Sequence, residues 1–329
     1  MPTKVLILSS EDDLHAETVK RHLVEMNVEV DYFRYEDFVE HSKISYRPGG
    51  FDGDCLIERA NGSLNLHSYS AIWHRRPGKI VTSKFPERWI QNMVEQESRN
   101  ALDGMLHHLR CLWVNHPRRD YECLQKLWQL HVAAEMGLVI PKTLVTNQPE
   151  LVEQFFEECD GQVVYKLISE LSNFAIPAYE TPRGISTLPL RQEDLAHLNQ
   201  VMHAPHFFQQ CIPKAYDLRV TIVGQKVFCI KIDSQAGAGK LDWRHDYSVA
   251  MDAFDLPSEI AEQCLSLMRK LGLNYGAIDF VLSPDHKYYF LEINCAGQYM
   301  WIEHRTEMPI SLELARLLAG VAPPLVGSV

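Results

Sequence analysis

The chain has 329 residues and a net charge of −11, a length that divides into two or three structural units and an acidity that argues against a general nucleic-acid binder. No run approaches the roughly 18 apolar residues of a membrane span. The eight cysteines are scattered without a CxxC pair, which argues against a structural zinc site and fits a cytoplasmic protein whose thiols stay reduced in the core.

Residues 4–10 (Lys-Val-Leu-Ile-Leu-Ser-Ser) read as a buried parallel strand, 13–26 as a helix and 28–33 as a second strand, a βαβ opening typical of an α/β layer. The apolar run meets Glu11, Asp12 and Asp13 at once, which suits a strand better than a signal peptide. The same acids, with no glycine beside them, would repel a pyrophosphate and argue against a dinucleotide site. Residues 71–78 read as a strand ending in a basic turn that carries Arg75, 84–109 as an amphipathic helix, and 112–116 as a strand closing the first unit. Pro117-Arg-Arg-Asp marks the boundary. A helix over 120–136 is predicted to stop at Gly137. A strand over 138–146, a helix near 148–159, a strand over 162–166, an irregular polar region and a helix near 191–201 follow. Strands dominate the remainder, apart from helices at 257–271 and 308–319.

The densest chemistry lies near the C-terminus. Ala277-Ile-Asp-Phe and Leu291-Glu-Ile-Asn flank the turn cluster Ser283-Pro-Asp-His-Lys, the pattern of a β-hairpin. Strict alternation places Ile278, Phe280 and Leu282 on one face of the first strand. In the second strand it places Tyr289, Leu291 and Ile293 on one face, with Phe290, Glu292 and Asn294 on the other. Asp279, Glu292 and Asn294 then converge among apolar neighbours, where carboxylates are costly unless paired or metal-bound. Three oxygen ligands suit Mg²⁺ held with phosphate oxygens.

Four further features accompany the hairpin. Lys166 ends a β-branched strand, either as a point charge for phosphate or as a side chain snorkelling from a sheet edge. Lys126 lies on the boundary helix, where a solvated helix residue is the plainer reading. The stretch Gln209-Gln210-Cys211-Ile212 precedes a proline, and its free backbone groups suit the edge of a purine. Asp217 and Arg219 share a strand face by period two, as an anion clamp or an ordinary ion pair. Last come Lys231 and a glycine-rich loop, whose Gly237-Ala-Gly-Lys lacks P-loop spacing. It reads as a mobile loop preceding Arg244, a ligand for an acidic group.

Taken in order, Lys126, Lys166, the 209–212 hinge, Asp217, Arg219, Lys231, Arg244, Asp279, Glu292 and Asn294 resemble the ATP-grasp superfamily. Local stretches around Trp73-His-Arg-Arg, Lys126-Leu-Trp-Gln-Leu, Lys214-Ala-Tyr-Asp-Leu-Arg and Asp242-Trp-Arg are similar to the graspetide synthetases, the microviridin-type macrocyclases of ribosomal peptides. The resemblance implies an α/β (α+β ATP-grasp) fold: an N-terminal βαβ pre-ATP-grasp domain over 1–118, then a central subdomain (lid and peptide docking) over 119–207 and a C-terminal one with the Mg-ATP site over 208–329.

It further implies ATP and Mg²⁺ as cofactors and a ribosomal precursor peptide, with leader and acidic core, as partner of a homodimeric enzyme. Asp279, Glu292 and Asn294 would hold Mg²⁺. Lys126, Lys166, Lys231 and the hinge Gln209, Gln210, Cys211 and Ile212 would bind nucleotide. Arg219 would stabilise the transferring phosphoryl with Asp217 orienting it or taking the acceptor's proton, and Arg244 and Arg75 would receive the peptide. The product would be an ω-ester with Ser or Thr, or an ω-amide with Lys. Three departures stand out: Gln210 where the family often has Glu, Cys295 where it often has Pro, and no glycine-rich segment after Lys166. A ligase adding glutamate to a protein tail, or a non-catalytic nucleotide-binding regulator, would share the nucleotide residues.

Overall fold

A row of apolar residues buried on both faces opens the fold, and the reason is its position: Lys4–Ser9 lies between two parallel neighbours. In this computed structural model, which describes residues 3–10, 12–49, 55–169 and 187–327, the first sheet runs Glu29–Phe33, Lys4–Ser9, Ala71–Arg76, Leu112–Val114, all parallel. The helix Leu14–Glu25 starts at Asp13, whose side chain accepts the His15 amide, a polar cap in the place where a dinucleotide site would need glycine. A three-stranded antiparallel sheet, Ser42–Tyr46, Cys55–Arg59 and Gly62–Asn65, was not legible in the sequence, since its strands are short and mostly polar.

Two antiparallel sheets follow. The central one has the order Thr187–Leu190, Val163–Lys166, His206–Gln210, Thr143–Thr146. It continues to Gln210, past the unit boundary expected at 207. The larger sheet runs Met251–Ala253, Lys226–Ile232, Tyr216–Val223, Tyr275–Leu282, Tyr288–Asn294. One face of this sheet packs on the helices Lys126–Glu135 and Ser258–Leu271, through Leu218, Val220, Ile278, Phe280 and Ile293 against Leu130, Ala133, Leu267 and Met268. The second helix ends at Gly272 in the left-handed region, as helix C-termini favour. A separate core joins the ends of the chain: Val5, Ile7, Val19 and Trp73 pack with Ile310, Leu314 and Leu317 of the helix Ile310–Leu318. No helix among the described residues is long and apolar enough to cross a membrane.

Several expectations are revised. The helix predicted over 120–136 is two helices, Pro117–Cys123 and Lys126–Glu135, broken at Gln125. The side chain of Gln129 donates to the Cys123 carbonyl at 2.5 Å, diverting it from the helical ladder. The 192–203 segment winds as 3-10 turns rather than an α-helix. The strand expected over 138–146 pairs regularly only from Thr143, beyond Pro141, which lacks an amide donor. The segment after Lys166 to which a phosphate-covering lid would belong lies largely outside the described residues.

Candidate active site

Charge is laid in a row across three strands of the five-stranded sheet. Arg219 lies opposite Asp279, and Asp279 opposite Glu292, so the three side chains leave the same face. Arg219 Nη1 donates to both carboxylate oxygens of Asp279, at 2.9 and 2.8 Å. Asn294, two residues beyond Glu292, shares that face, and its Oδ1 accepts the Ala296 amide at 3.0 Å. Asp279, Glu292 and Asn294 line one cavity of about 690 Å³ between this sheet and the central one.

The hairpin reaches this arrangement by a route that strict alternation does not predict. Glu292 pairs with Asp279, yet the next pair is Phe290 with Phe280, so the ladder shifts by one residue and Leu291 is the extra one. The bulge restores phase: Phe290 enters the core with Ile278, Phe280 and Ile293, while Leu291 and Glu292 face the cavity. Without it, Phe290 would stand on the carboxylate face.

Cations face these carboxylates. Lys126 opens the Lys126–Glu135 helix, and its Nζ donates to the Leu167 carbonyl at 2.9 Å and stands 4.0 Å from Glu292 Oε2. Lys166 Nζ donates to Gln209 Oε1 at 2.7 Å; Gln209 is buried and its Nε2 donates to Thr143 Oγ1 at 3.1 Å. Arg244 pairs with Asp242 at 2.8 Å and approaches Glu292 at 3.5 Å. Burial pulls the Lys166 ammonium down, Glu292 opposes that, and the neighbouring cations Lys126, Lys214 and Arg244 reinforce it, leaving a pKa of about 8. Burial pushes Glu292 up, but Arg244, Lys126, Lys166 and Arg219 outweigh it and hold the carboxyl below its ordinary range. Burial raises Asp279, with the Glu292 charge adding to the effect and Arg219 only partly offsetting it.

Lys214 is a site residue that sequence reasoning missed. Its Nζ donates to Asp217 at 2.9 and 3.2 Å and to the Leu241 carbonyl at 2.9 Å, and it lines the cavity. Its signal was its place three residues before Asp217, just after Pro213. Asp217 also accepts from Ser234 Oγ at 2.5 Å. It therefore holds Lys214 rather than orienting Arg219, because the cross-strand Asp279 is Arg219's nearer neighbour. Gln129 was missed as well: its amide pairs with both the N–H and the C=O of Ile293, at 3.0 and 2.9 Å, and so fixes the strand that carries Glu292 and Asn294.

Other expectations find a different place. Lys231 does not line the cavity. It lies opposite Leu218, on the face away from Arg219, beside Tyr216 and 3.8 Å from Asp252. Arg75 is buried away from the cavity. It donates to Asp13 at 3.2 Å and to the carbonyls of Ala296 and Gly297 at 2.5 and 3.2 Å, so it fastens the loop after Asn294 to the first sheet instead of receiving peptide. Gln210, Cys211 and Ile212 line the cavity. The amides of Gln210 and Cys211 are taken by the Lys142 and Gln162 carbonyls, whereas Ile212 has no backbone partner among the described residues.

The donor set fits the chemistry of a magnesium nucleotide. Two carboxylates and an amide oxygen are hard ligands, with no sulfur or imidazole among them, and lysines and an arginine face them as phosphate would require. Arg219 Nε, buried without a hydrogen-bond partner among the described residues, is a spare donor beside the carboxylates.

Comparison with known proteins gives the same answer. Residues 4–120 match the family model of the MvdD pre-ATP-grasp domain. Across 97% of this chain and 99% of the other, with a TM-score of 0.85 and 34% identity, the fold is that of macrocyclase MdnC of Microcystis aeruginosa, solved with the precursor peptide MdnA. A ribosomal-peptide-associated ATP-grasp ligase of Chryseobacterium gregarium, solved with ADP and a leader and core peptide, is 29% identical with a TM-score of 0.90 over all of both chains. A more distant relative is human beta-citrylglutamate synthase B, 20% identical over 82% of this chain and 68% of its own. The chain therefore belongs to the ATP-grasp peptide macrocyclases, the graspetide synthetases.

Proposed function

We propose that the protein uses Mg-ATP to activate Asp or Glu side chains of a ribosomal precursor peptide and joins them to Ser or Thr hydroxyls as ω-esters, or to Lys as ω-amides. The observation that carries this is the single cavity in which Asp279, Glu292 and Asn294 confront Lys126, Lys166, Lys214 and Arg244. The 34% identity to a macrocyclase over nearly the whole chain sets it above a tail-directed glutamate ligase, whose support is the weaker likeness to amide-forming synthases.

In this reading the γ-phosphoryl group moves from ATP to the acceptor carboxylate, the bond to the β-phosphate oxygen breaks, and ADP leaves. The hydroxyl oxygen then attacks the acyl carbon, phosphate departs, and the hydroxyl proton goes to solvent, so the peptide loses one water per ring. Magnesium, when bound, neutralises and aligns the phosphates. Asp279, Glu292 and Asn294 are the residues that would hold it. Lys126, Lys166 and Lys214 hold phosphate charge, with Gln209 orienting Lys166 and Asp217 orienting Lys214. Arg219, oriented by Asp279, stabilises the transferring group, and Arg244 receives the acidic core. Ile212 offers its amide to the purine, beside Gln210 and Cys211.

Incubation with Mg-ATP and the cognate precursor is expected to yield products lighter by multiples of one water in mass spectrometry. An unchanged peptide mass, with ATP still bound, would overturn the macrocyclase reading. The homodimer expected from the family is tested by light scattering of the purified chain, where a monomer mass at micromolar concentration argues against it.

A further inference from the structure

Outside the nucleotide cavity, and against the expectation from the scattered cysteines that zinc is not bound, three side chains with metal-binding atoms meet that no sequence spacing brings together. Cys55 begins the strand Cys55–Arg59. His67 lies in the 3-10 turn Leu66–Ser68, whose start is capped by Asn65 accepting the His67 amide at 3.1 Å. His108 caps the C-terminus of the Arg88–His107 helix. One ligand atom from each, the Cys55 sulfur and a ring nitrogen of His67 and His108, lies within 4.8 Å of the other two. We infer that Cys55, His67 and His108 form a site for a divalent transition metal of the zinc class, with three protein ligands and an open fourth position.

The donor types decide the metal. A thiolate and two imidazoles select borderline ions such as Zn²⁺ or Co²⁺, whereas Mg²⁺ takes hard oxygens, so this site does not compete for the ion of the nucleotide cavity. The geometry is held from three directions. Cys55 is buried on a sheet, and the two imidazoles stand edge to face with centroids 5.2 Å apart. Tyr46 packs on His108 at 5.1 Å. The fourth position has room, because His67 and His108 also line a cavity of about 370 Å³ beside Tyr69 and Arg110. Water or a small anion attracted by Arg110 completes a tetrahedron there. Binding breaks the Cys55 S–H bond, forms a sulfur–metal bond and releases one proton to solvent. It also ties the three-stranded sheet to the end of the long helix, so the metal adds to the stability of the first unit.

The test is a Co²⁺ titration of the full-length, chelator-stripped protein in excess Mg²⁺. One cobalt per chain is expected, with a near-ultraviolet thiolate-to-cobalt charge-transfer band and visible d–d bands. Cys55→Ser removes the charge-transfer band, while Cys111→Ser, a cavity neighbour outside the ligand set, leaves it. His67→Ala and His108→Ala alter exposed side chains, so they keep the test sound if the cysteine variant does not fold. Each is expected to weaken cobalt at least about tenfold, the lower bound even for partners outside a ligand set, and to abolish the rise in Tm that Zn²⁺ gives the unaltered chain. Persistence of the charge-transfer band in Cys55→Ser, or unchanged cobalt affinity in both histidine variants, overturns the site.

Discussion

Lys166 sets the pH response of the candidate nucleotide site. Its pKa of about 8 against an ordinary 10.5 means that the folded protein sheds this proton while the unfolded chain keeps it. Between about 8 and 10.5 the folded state thus gains stability as pH rises. Phosphate binding runs the other way, since it needs the ammonium. ATP affinity of the free protein, measured calorimetrically, is expected to fall as pH climbs through about 8, and Lys166→Arg to flatten that fall. An identical profile in the variant would remove Lys166 from the phosphate contacts. Glu292→Gln keeps the shape and loses the charge, so product formation should drop about a hundredfold or more with the circular dichroism unchanged. Retained activity would rule Glu292 out of the reaction. Most of these residues were readable because charge inside a β-branched or hairpin pattern is conspicuous. Lys214 was not, because a lysine three residues from an acid looks like any surface pair until the fold buries both.

At the scale of elements, the site depends on how two segments are clasped. Gln129 imitates a strand partner of Ile293, and removing its amide leaves the N–H and C=O of a buried residue unpaired. Gln129→Ala is expected to cost about 1–3 kcal/mol, read as a lower urea midpoint at constant slope. Arg75→Ala strands the Asp13 carboxylate, which burial would otherwise drive up and which Arg75, His15 and Ser9 hold down. Loss of such a buried partner costs about 3–5 kcal/mol, so a variant as stable as the parent would contradict the fastening role. Gly297 is pinned for a steric reason: a Cβ there would stand 2.5 Å from the Ala277 Cβ and 2.8 Å from Arg219 Nη2. Gly297→Ala should therefore disturb Arg219 and lower turnover more than it lowers Tm. The long elements, the hairpin turn and the flanking helix Ser258–Leu271 were legible from periodicity, whereas the break at Gln125 that sets the start of the other flanking helix was not. The bulge at Leu291 was not, because one extra residue leaves composition and alternation looking intact on either side of it.

Across the whole molecule, the first sheet and the larger sheet meet through polar joints that no local pattern announces. Asn115 donates to the Tyr275 and Cys295 carbonyls at 2.9 and 3.2 Å and accepts the Asn274 and Tyr275 amides at 2.8 and 2.9 Å. His15 Nε2 accepts the amides of Tyr299 and Met300 at 3.1 and 3.2 Å, so its proton sits on Nδ1 toward Asp13. These contacts span well over a hundred residues of chain, which is why no local pattern in the sequence revealed the clasp. The apolar side of the clasp has a further meaning for biosynthesis. Val5, Ile7 and Val19 share a core with Ile310, Leu314 and Leu317, so one flank of the first sheet stays uncovered while nearly three hundred residues are made. The first sheet is thus sealed only once the helix Ile310–Leu318 has been made, and the newborn chain carries that exposed flank until then.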